Sequence, residues 1–159
     1  MRLHLVTVGR LKDGPEKALC TRYASRVTEL ARGQGFGGFD MSELSEGRGR
    51  RMEERRREEA DAILARLPGG PVIAFDERGL SLSSEAFAQR VGAFRAEGGA
   101  ALGLVIGGAD GLDDAVRTRA GLVVAFGALT LPHQLARVLV LEQIYRAFTI
   151  LSGHPYHRA

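Results

Sequence analysis

The sequence predicts an α/β fold, a mostly parallel sheet with helices on both faces, arranged as a single domain over residues 1–159. Three observations predict it. Strand-like and helix-like segments alternate along the whole chain. In the second half the strand-like segments are short and apolar, as strands buried on both faces are. Glycine- and proline-bearing loops follow them, at the strand ends where open α/β sheets hold their ligands. A chain of 159 residues buries roughly two-thirds of its unfolded surface, enough for one core without crosslinks.

Taken in order, Leu3-His4-Leu5-Val6-Thr7-Val8 is rich in β-formers and stops at Gly9, so it reads as a strand. Gly14-Pro15 starts a helix to about Leu30, with Leu19, Tyr23, Val27 and Leu30 at helical spacing. Residues 33–47 are glycine-rich, with a poor strand at 39–44. A charged helix follows over 50–67, its apolar stripe made by Ala60, Ile63, Leu64 and Leu67, and Pro68-Gly69-Gly70 ends it. Val72-Ile73-Ala74-Phe75 is a buried strand. Ser83 or Ser84 caps a helix carrying Phe87, Val91 and Phe94, which Gly98-Gly99 ends. Residues 101–106 form the next strand and run into Gly107-Gly108; Asp113 caps a short helix; 122–126 form the last strand. Pro132, at the first helical position, opens a long helix to about Leu151. Three loops then fall at strand ends: 76–80, 107–112 and 127–133.

Composition removes several functions. The lone Cys20 excludes an internal disulfide and a cysteine-based zinc site. No apolar run approaches the ~20 residues that span a bilayer, and no signal-peptide stretch opens the chain, so no membrane association and a cytoplasmic location are expected. Twenty-two Lys+Arg against 19 Asp+Glu give a net charge of +3, almost all of the basic side being arginine. With no tryptophan and 6% aromatics, a broad base-stacking platform is not expected.

Gly33-Gln34-Gly35-Phe36-Gly37-Gly38 matches G-x-G-x-x-G, yet it follows a helix where a dinucleotide fingerprint follows a strand, so it reads as a plain flexible loop. The run 46–59 holds six Arg and five Glu, a near-neutral mixture expected to form a solvated helix laced with pairs such as Glu53–Arg57. Arg48, Arg50 and Arg51, bunched at its start, are alternatively placed to meet phosphate. Gly107-Gly108-Ala109-Asp110-Gly111 is either an ordinary turn or a ligand loop with exposed amides. Gly127-Ala128-Leu129-Thr130-Leu131-Pro132-His133 is apolar where polar turn chemistry is expected; it walls an apolar ligand or is a buried crossover. His133 reads as a structural first-turn residue. The end of the chain concentrates His154, Tyr156, His157 and Arg158, and from His133 onward Glu142 is the only acid beside Arg137, Arg146 and Arg158. Such a tail suits contact with RNA and proton handling. No carboxylate or cysteine lies near His154 and His157 in sequence to complete a metal site.

These segments, with Leu5-Val6-Thr7-Val8-Gly9, Leu104-Val105-Ile106-Gly107-Gly108-Ala109-Asp110-Gly111-Leu112, Ala128-Leu129-Thr130-Leu131-Pro132-His133, Arg137-Val138-Leu139, Glu142-Gln143-Ile144-Tyr145-Arg146-Ala147 and His154-Pro155-Tyr156-His157-Arg158, resemble the RlmH family over essentially the whole chain. That family comprises bacterial large-subunit ribosomal RNA methyltransferases of the SPOUT class. The resemblance implies a C-terminal trefoil knot (SPOUT, or α/β-knot, fold), a homodimer, S-adenosylmethionine as methyl donor with no metal, and methylation of N3 of a pseudouridine in 23S rRNA within the assembled ribosome. Carried over by position, cofactor contacts fall on Phe75, Gly107, Phe126, Gly127, Ala128, Leu129, Thr130 and Leu131. His157, with Tyr156 or His154 orienting it, is the expected proton acceptor. Arg158, Arg137 and Arg146 are expected to stabilise the developing anion or, with His154, to contact RNA. A broad apolar surface on the last helix, including Leu135, Val138, Leu139, Ile144 and Phe148, also points to a two-fold partner. The competing expectation is a non-catalytic RNA-binding protein of the same fold.

Overall fold

In a computed structural model, which describes residues 1–157, five strands run parallel in one sheet: β1 (Arg2–Val8), β2 (Phe39–Leu44), β3 (Val72–Ser81), β4 (Ala101–Ile106) and β5 (Leu122–Ala125). Their order is β2-β1-β4-β3-β5, and every pairing between them is parallel. Four α-helices connect them, α1 (Pro15–Ala31), α2 (Met52–Arg66), α3 (Ser84–Glu97) and α4 (Asp114–Arg119), and α5 (His133–Leu151) follows β5.

Period-two alternation divides the strands between two cores. Leu3, Leu5, Ile73, Phe75, Leu102, Leu104 and Ile106 face α1, α3 and α5. Val6, Val8, Ala74 and Val105 face α2 and α4. Helices therefore cover both faces, and parallel strands buried on both sides need the continuous apolar runs seen here. Ser83 caps α3 by accepting from the Ala86 amide at 3.1 Å, and Asp113 caps α4 through the Ala115 amide at 2.9 Å.

Several expected boundaries move. The 76–80 segment belongs to β3, which pairs with β5 at Phe75↔Val124, bulges away, and returns with Leu80↔Val124. Gly79 crosses so near β5 that a Cβ there would sit 2.6 Å from Val124 backbone, so no side chain fits. β5 ends at Ala125, one residue before Phe126, and Pro132 is the residue before α5. The buried face of α1 is Cys20, Val27 and Ala31, while Leu19 stays 36% exposed. Small residues let α1 approach the sheet, and its larger Tyr23 is displaced sideways against Tyr145 on α5, ring centroids 6.2 Å apart. The 33–38 loop is anchored: Phe36 is buried against Phe148 (5.2 Å), and the Gly37 amide donates to Met1 O at 2.8 Å. On α5 the buried stripe is narrower than the apolar surface suggested, and Leu135 remains 42% exposed.

Candidate functional site

The C-terminal ends of β3, β4 and β5 deliver three segments to one edge of the sheet, and a cleft of about 220 Å³ lies between them. Its apolar wall is built from Phe75 and Phe126, whose rings stack at 5.6 Å with 7° between planes. Gly127 turns the chain with φ +106, a conformation that side chains disfavour. Leu129, Thr130 and Leu131 continue the wall, Leu129 being 82% exposed at the lip.

The facing wall is the 107–112 loop. A Cβ on Gly107 would lie 2.9 Å from Leu112, and one on Gly108 would lie 3.0 Å from both Glu59 and Val8. Glycine is required here because the loop lies directly on its neighbours, keeping its backbone at the cleft. The 107–112 loop is tied from three sides. Asp76, whose side chain is 5% exposed, accepts from the Leu112 amide at 3.3 Å, from the Arg78 amide at 3.0 Å and from Arg117 Nη1 at 3.3 Å. Arg55 on α2 grips Asp110 in a two-point contact, 2.7 and 3.2 Å, and this hydrogen-bonded guanidinium holds the Asp110 carboxyl below its ordinary range. Glu59 is buried behind Gly108; its Oε1 accepts from the Gly47 amide at 2.9 Å, while Oε2 has no partner. Burial pushes this carboxyl up, the Gly47 amide opposes that, and the charges of Asp110 and Glu46 add to the rise.

Of the residues expected to contact a cofactor, Phe75, Gly107, Phe126, Gly127, Leu129, Thr130 and Leu131 line this cleft, and Ala128 does not. His133, read from sequence as structural, also lines it from the first turn of α5. Gly9 (φ +85) leaves room for it: a Cβ there would meet Glu46 at 3.3 Å and His133 Nε2 at 3.4 Å. Asp76 falls in the strand-end segment 76–80 that the sequence marks, whereas Arg56 on α2 and Arg117 on α4 were missed, because a charged residue on a helix carries no sign in sequence of the loop it folds against.

Arg137 corrects an expectation. It is 1% exposed, donates Nη2 to Gly9 O at 2.7 Å and pairs with Glu43, so it is a buried tie between α5 and the ends of β1 and β2 rather than a surface contact for RNA. The signal was present: 137, 141, 144 and 148 share one helical stripe, and the three others are Leu, Ile and Phe.

The tail takes up a different position. His157 Nε2 lies 2.5 Å from Glu85 Oε1, and its Nδ1 lies 3.3 Å from Arg146 Nη1. Arg146 pairs with Glu142 through Nε (3.0 Å) and Nη2 (2.6 Å), and the Tyr156 hydroxyl donates to the same Oε1 at 3.1 Å. Burial, the Tyr23 hydroxyl and the Glu142 charge raise Tyr156, which stays a phenol and a donor. His154 Nδ1 accepts from the Tyr156 amide at 3.2 Å. None of residues 154–157 lines the cleft, nor a second cavity of about 240 Å³ that is bounded by Ser84, Phe87 and Gln143 and shares Phe75 and Phe126 with the first; His157 and Tyr156 contact Glu85 and Glu142, the chain neighbours of Ser84 and Gln143. Arg158 lies outside the described residues. Among those residues no helix is long and apolar enough to cross a membrane.

Residues 1–157 match the family described as "Predicted SPOUT methyltransferase". Among curated relatives, a protein of Xanthobacter autotrophicus named "Ribosomal RNA large subunit methyltransferase H" is 57% identical over 160 residues, covering 100% of each chain. Proteins of the same name from Methylobacterium radiotolerans and Nitrobacter hamburgensis are 55% and 52% identical, covering 99% of this chain and 98% and 99% of their own.

Two substitutions test the geometry. Arg137→Ala should lower unfolding free energy by about 3 kcal/mol in urea titration, the low end for a broken buried pair because Glu43 keeps some solvent. A raised folded-state carboxyl means that the native chain holds a proton the unfolded chain has released, so Glu59 costs stability progressively as pH rises through that window. Glu59→Gln removes the cost. Its Tm advantage over wild type should therefore grow between pH 5 and pH 8; an advantage that shrinks over that range contradicts the assignment.

Proposed function

This chain belongs to the SPOUT methyltransferase family, and from that premise we propose that it uses S-adenosylmethionine to methylate N3 of a pseudouridine in 23S ribosomal RNA. The observation that carries the reading is the convergence of the 107–112 loop and the 126–131 turn on one cleft. One wall is apolar and aromatic, the other presents backbone, and a donor with a flat adenine and a charged chain fits such a pair of walls. The relatives' shared name supports the substrate class, and their length matches this chain end to end. A trefoil knot in the C-terminal part belongs to the same reading.

The donor supplies a methyl group on a sulfonium that leaves as a thioether. Phe75, Phe126 and Leu131 exclude water from its neighbourhood, and the 126–131 backbone reads its polar edge. No residue needs to form a covalent bond, so the chief contribution of the protein is alignment. The imide N3 must give up its proton, and His157 is the acceptor in this reading, with Tyr156 and His154 orienting the tail and Arg146 and Arg158 meeting the developing anion. Because His157 of a chain does not line that chain's own cleft, the proposal requires the tail to serve the cleft of a second copy in a homodimer.

Transfer of labelled methyl to 70S particles, 50S subunits and naked rRNA, followed by nucleoside analysis, tests this. The expected result is one N3-methylated pseudouridine, with the assembled ribosome as the preferred substrate. Failure to bind S-adenosylmethionine in calorimetry would leave the non-catalytic RNA-binding alternative. His157→Ala should slow single-turnover methylation by ~100-fold or more. A rate within about threefold of wild type removes His157 as the base.

A further inference from the structure

The arginine-rich segment that opens α2 is nearly neutral in composition, yet its charges are sorted in space. Glu54 Oε2 accepts from the amides of Arg50 (3.1 Å) and Arg51 (3.3 Å), Glu58 Oε2 from the amide of Arg48 (2.7 Å), and Glu59 Oε1 from that of Gly47 (2.9 Å). Three of the five carboxylates are thus turned onto the backbone of the preceding loop. Gly47 and Gly49 make this possible: a Cβ on either would come within 2.6 Å of Arg55 O or 2.5 Å of Glu54 Cβ, so the loop lies flat on the first turns of the helix. The expected Glu53–Arg57 pair does not form.

What remains is a set of arginines without acidic partners. Among the described residues only Arg55 of the six reaches a carboxylate, that of Asp110. Arg48, Arg50, Arg51 and Arg57 are exposed and, among the described residues, have no carboxylate oxygen within ion-pair distance, and Arg56 lines the cleft. Arg56 also helps to depress Asp110 and Asp114 from beyond direct contact, so its charge is felt at that rim. The Arg55–Asp110 pair fastens this whole surface to the 107–112 loop.

From this arrangement we propose that the 48–57 surface is a docking site for the phosphate backbone of ribosomal RNA, continuous with the cleft. The inference rests on the RNA-substrate reading above and adds the surface that holds the RNA. Guanidinium forks match phosphate oxygens in two-point contacts. The segment has no aromatic residue to stack on bases, so it grips the strand irrespective of sequence and leaves base selection to the cleft. Met52 is its single exposed apolar side chain, too little to anchor it in a lipid surface.

The test compares R48Q/R50Q/R57Q with a charge-matched control elsewhere on the surface, R22Q/R32Q/R90Q, in binding to 50S subunits and to naked 23S rRNA across a salt series. For the first triple, affinity should fall at least tenfold at 150 mM salt. The slope of log K against log salt should lose about 2 to 3 units, as expected for three phosphate contacts. S-adenosylmethionine affinity by calorimetry should stay within twofold, showing a folded cleft, and R48K/R50K/R57K should recover most of the slope. Wild-type affinity and slope in the glutamine triple, or an equal loss in the control, overturns the surface while leaving the RNA reading intact. If wild type binds the donor but no rRNA, the RNA reading itself falls and takes this surface with it.

Discussion

The cleft depends on one nearly buried carboxylate. Asp76 leaves β3 at the point where that strand departs from β5, and it accepts from a loop amide after β4 and from Arg117 on α4. Two stretches distant in sequence, β3 and the 112–117 connection into α4, are thereby held to one another at the C-terminal edge of the sheet. A carboxylate this buried is tolerated only when its oxygens are satisfied, and Asp76 satisfies them with the groups that shape the cleft. Replacement by an apolar residue of similar size would leave the Leu112 amide unpaired and unfasten β3 from Arg117, which keeps its own bond to Leu112 O.

Around that anchor the molecule separates its chemistry by wall. One side of the cleft is aromatic and aliphatic, set by Phe75, Phe126 and the 129–131 segment; the other is glycine backbone bordered by Arg56, Asp110 and Arg117. The charged side is continuous with α2 through Arg55, and the apolar side leads through Phe126 to the second cavity. In the proposed reading, a small flat ligand and a large polyanion thus have different approaches to the same place.

Much of the architecture was legible in the residues themselves. Strands buried on both faces must be apolar throughout, and β3, β4 and β5 announce themselves in that way. Ser83 and Asp113 mark helix starts because their side chains serve amides that the helix leaves bare. The edge strand β2 was weaker, since half of Phe-Asp-Met-Ser-Glu-Leu faces solvent or a single neighbour. What sequence could not show was long-range pairing of polar groups. Asp76-Glu77-Arg78-Gly79-Leu80 reads as a loop because its strand character comes only from Leu80 meeting Val124. Glu59 looks like any other acid in a charged helix until Gly47 and Gly108 close over it. The strand-end loops of the site were visible, and the charged groups that fasten them were not. Arg137 is the instructive case: its charge drew attention, while its position on an apolar stripe carried the better information.

The stacked pair Phe75–Phe126 is a party wall between two rooms, belonging to both cavities at once. Space taken by one room is surrendered by the other whenever either ring swings. Occupants of the two are therefore neighbours in volume even where they share no atom contact, and the thickness of two benzene rings sets how independently each is furnished.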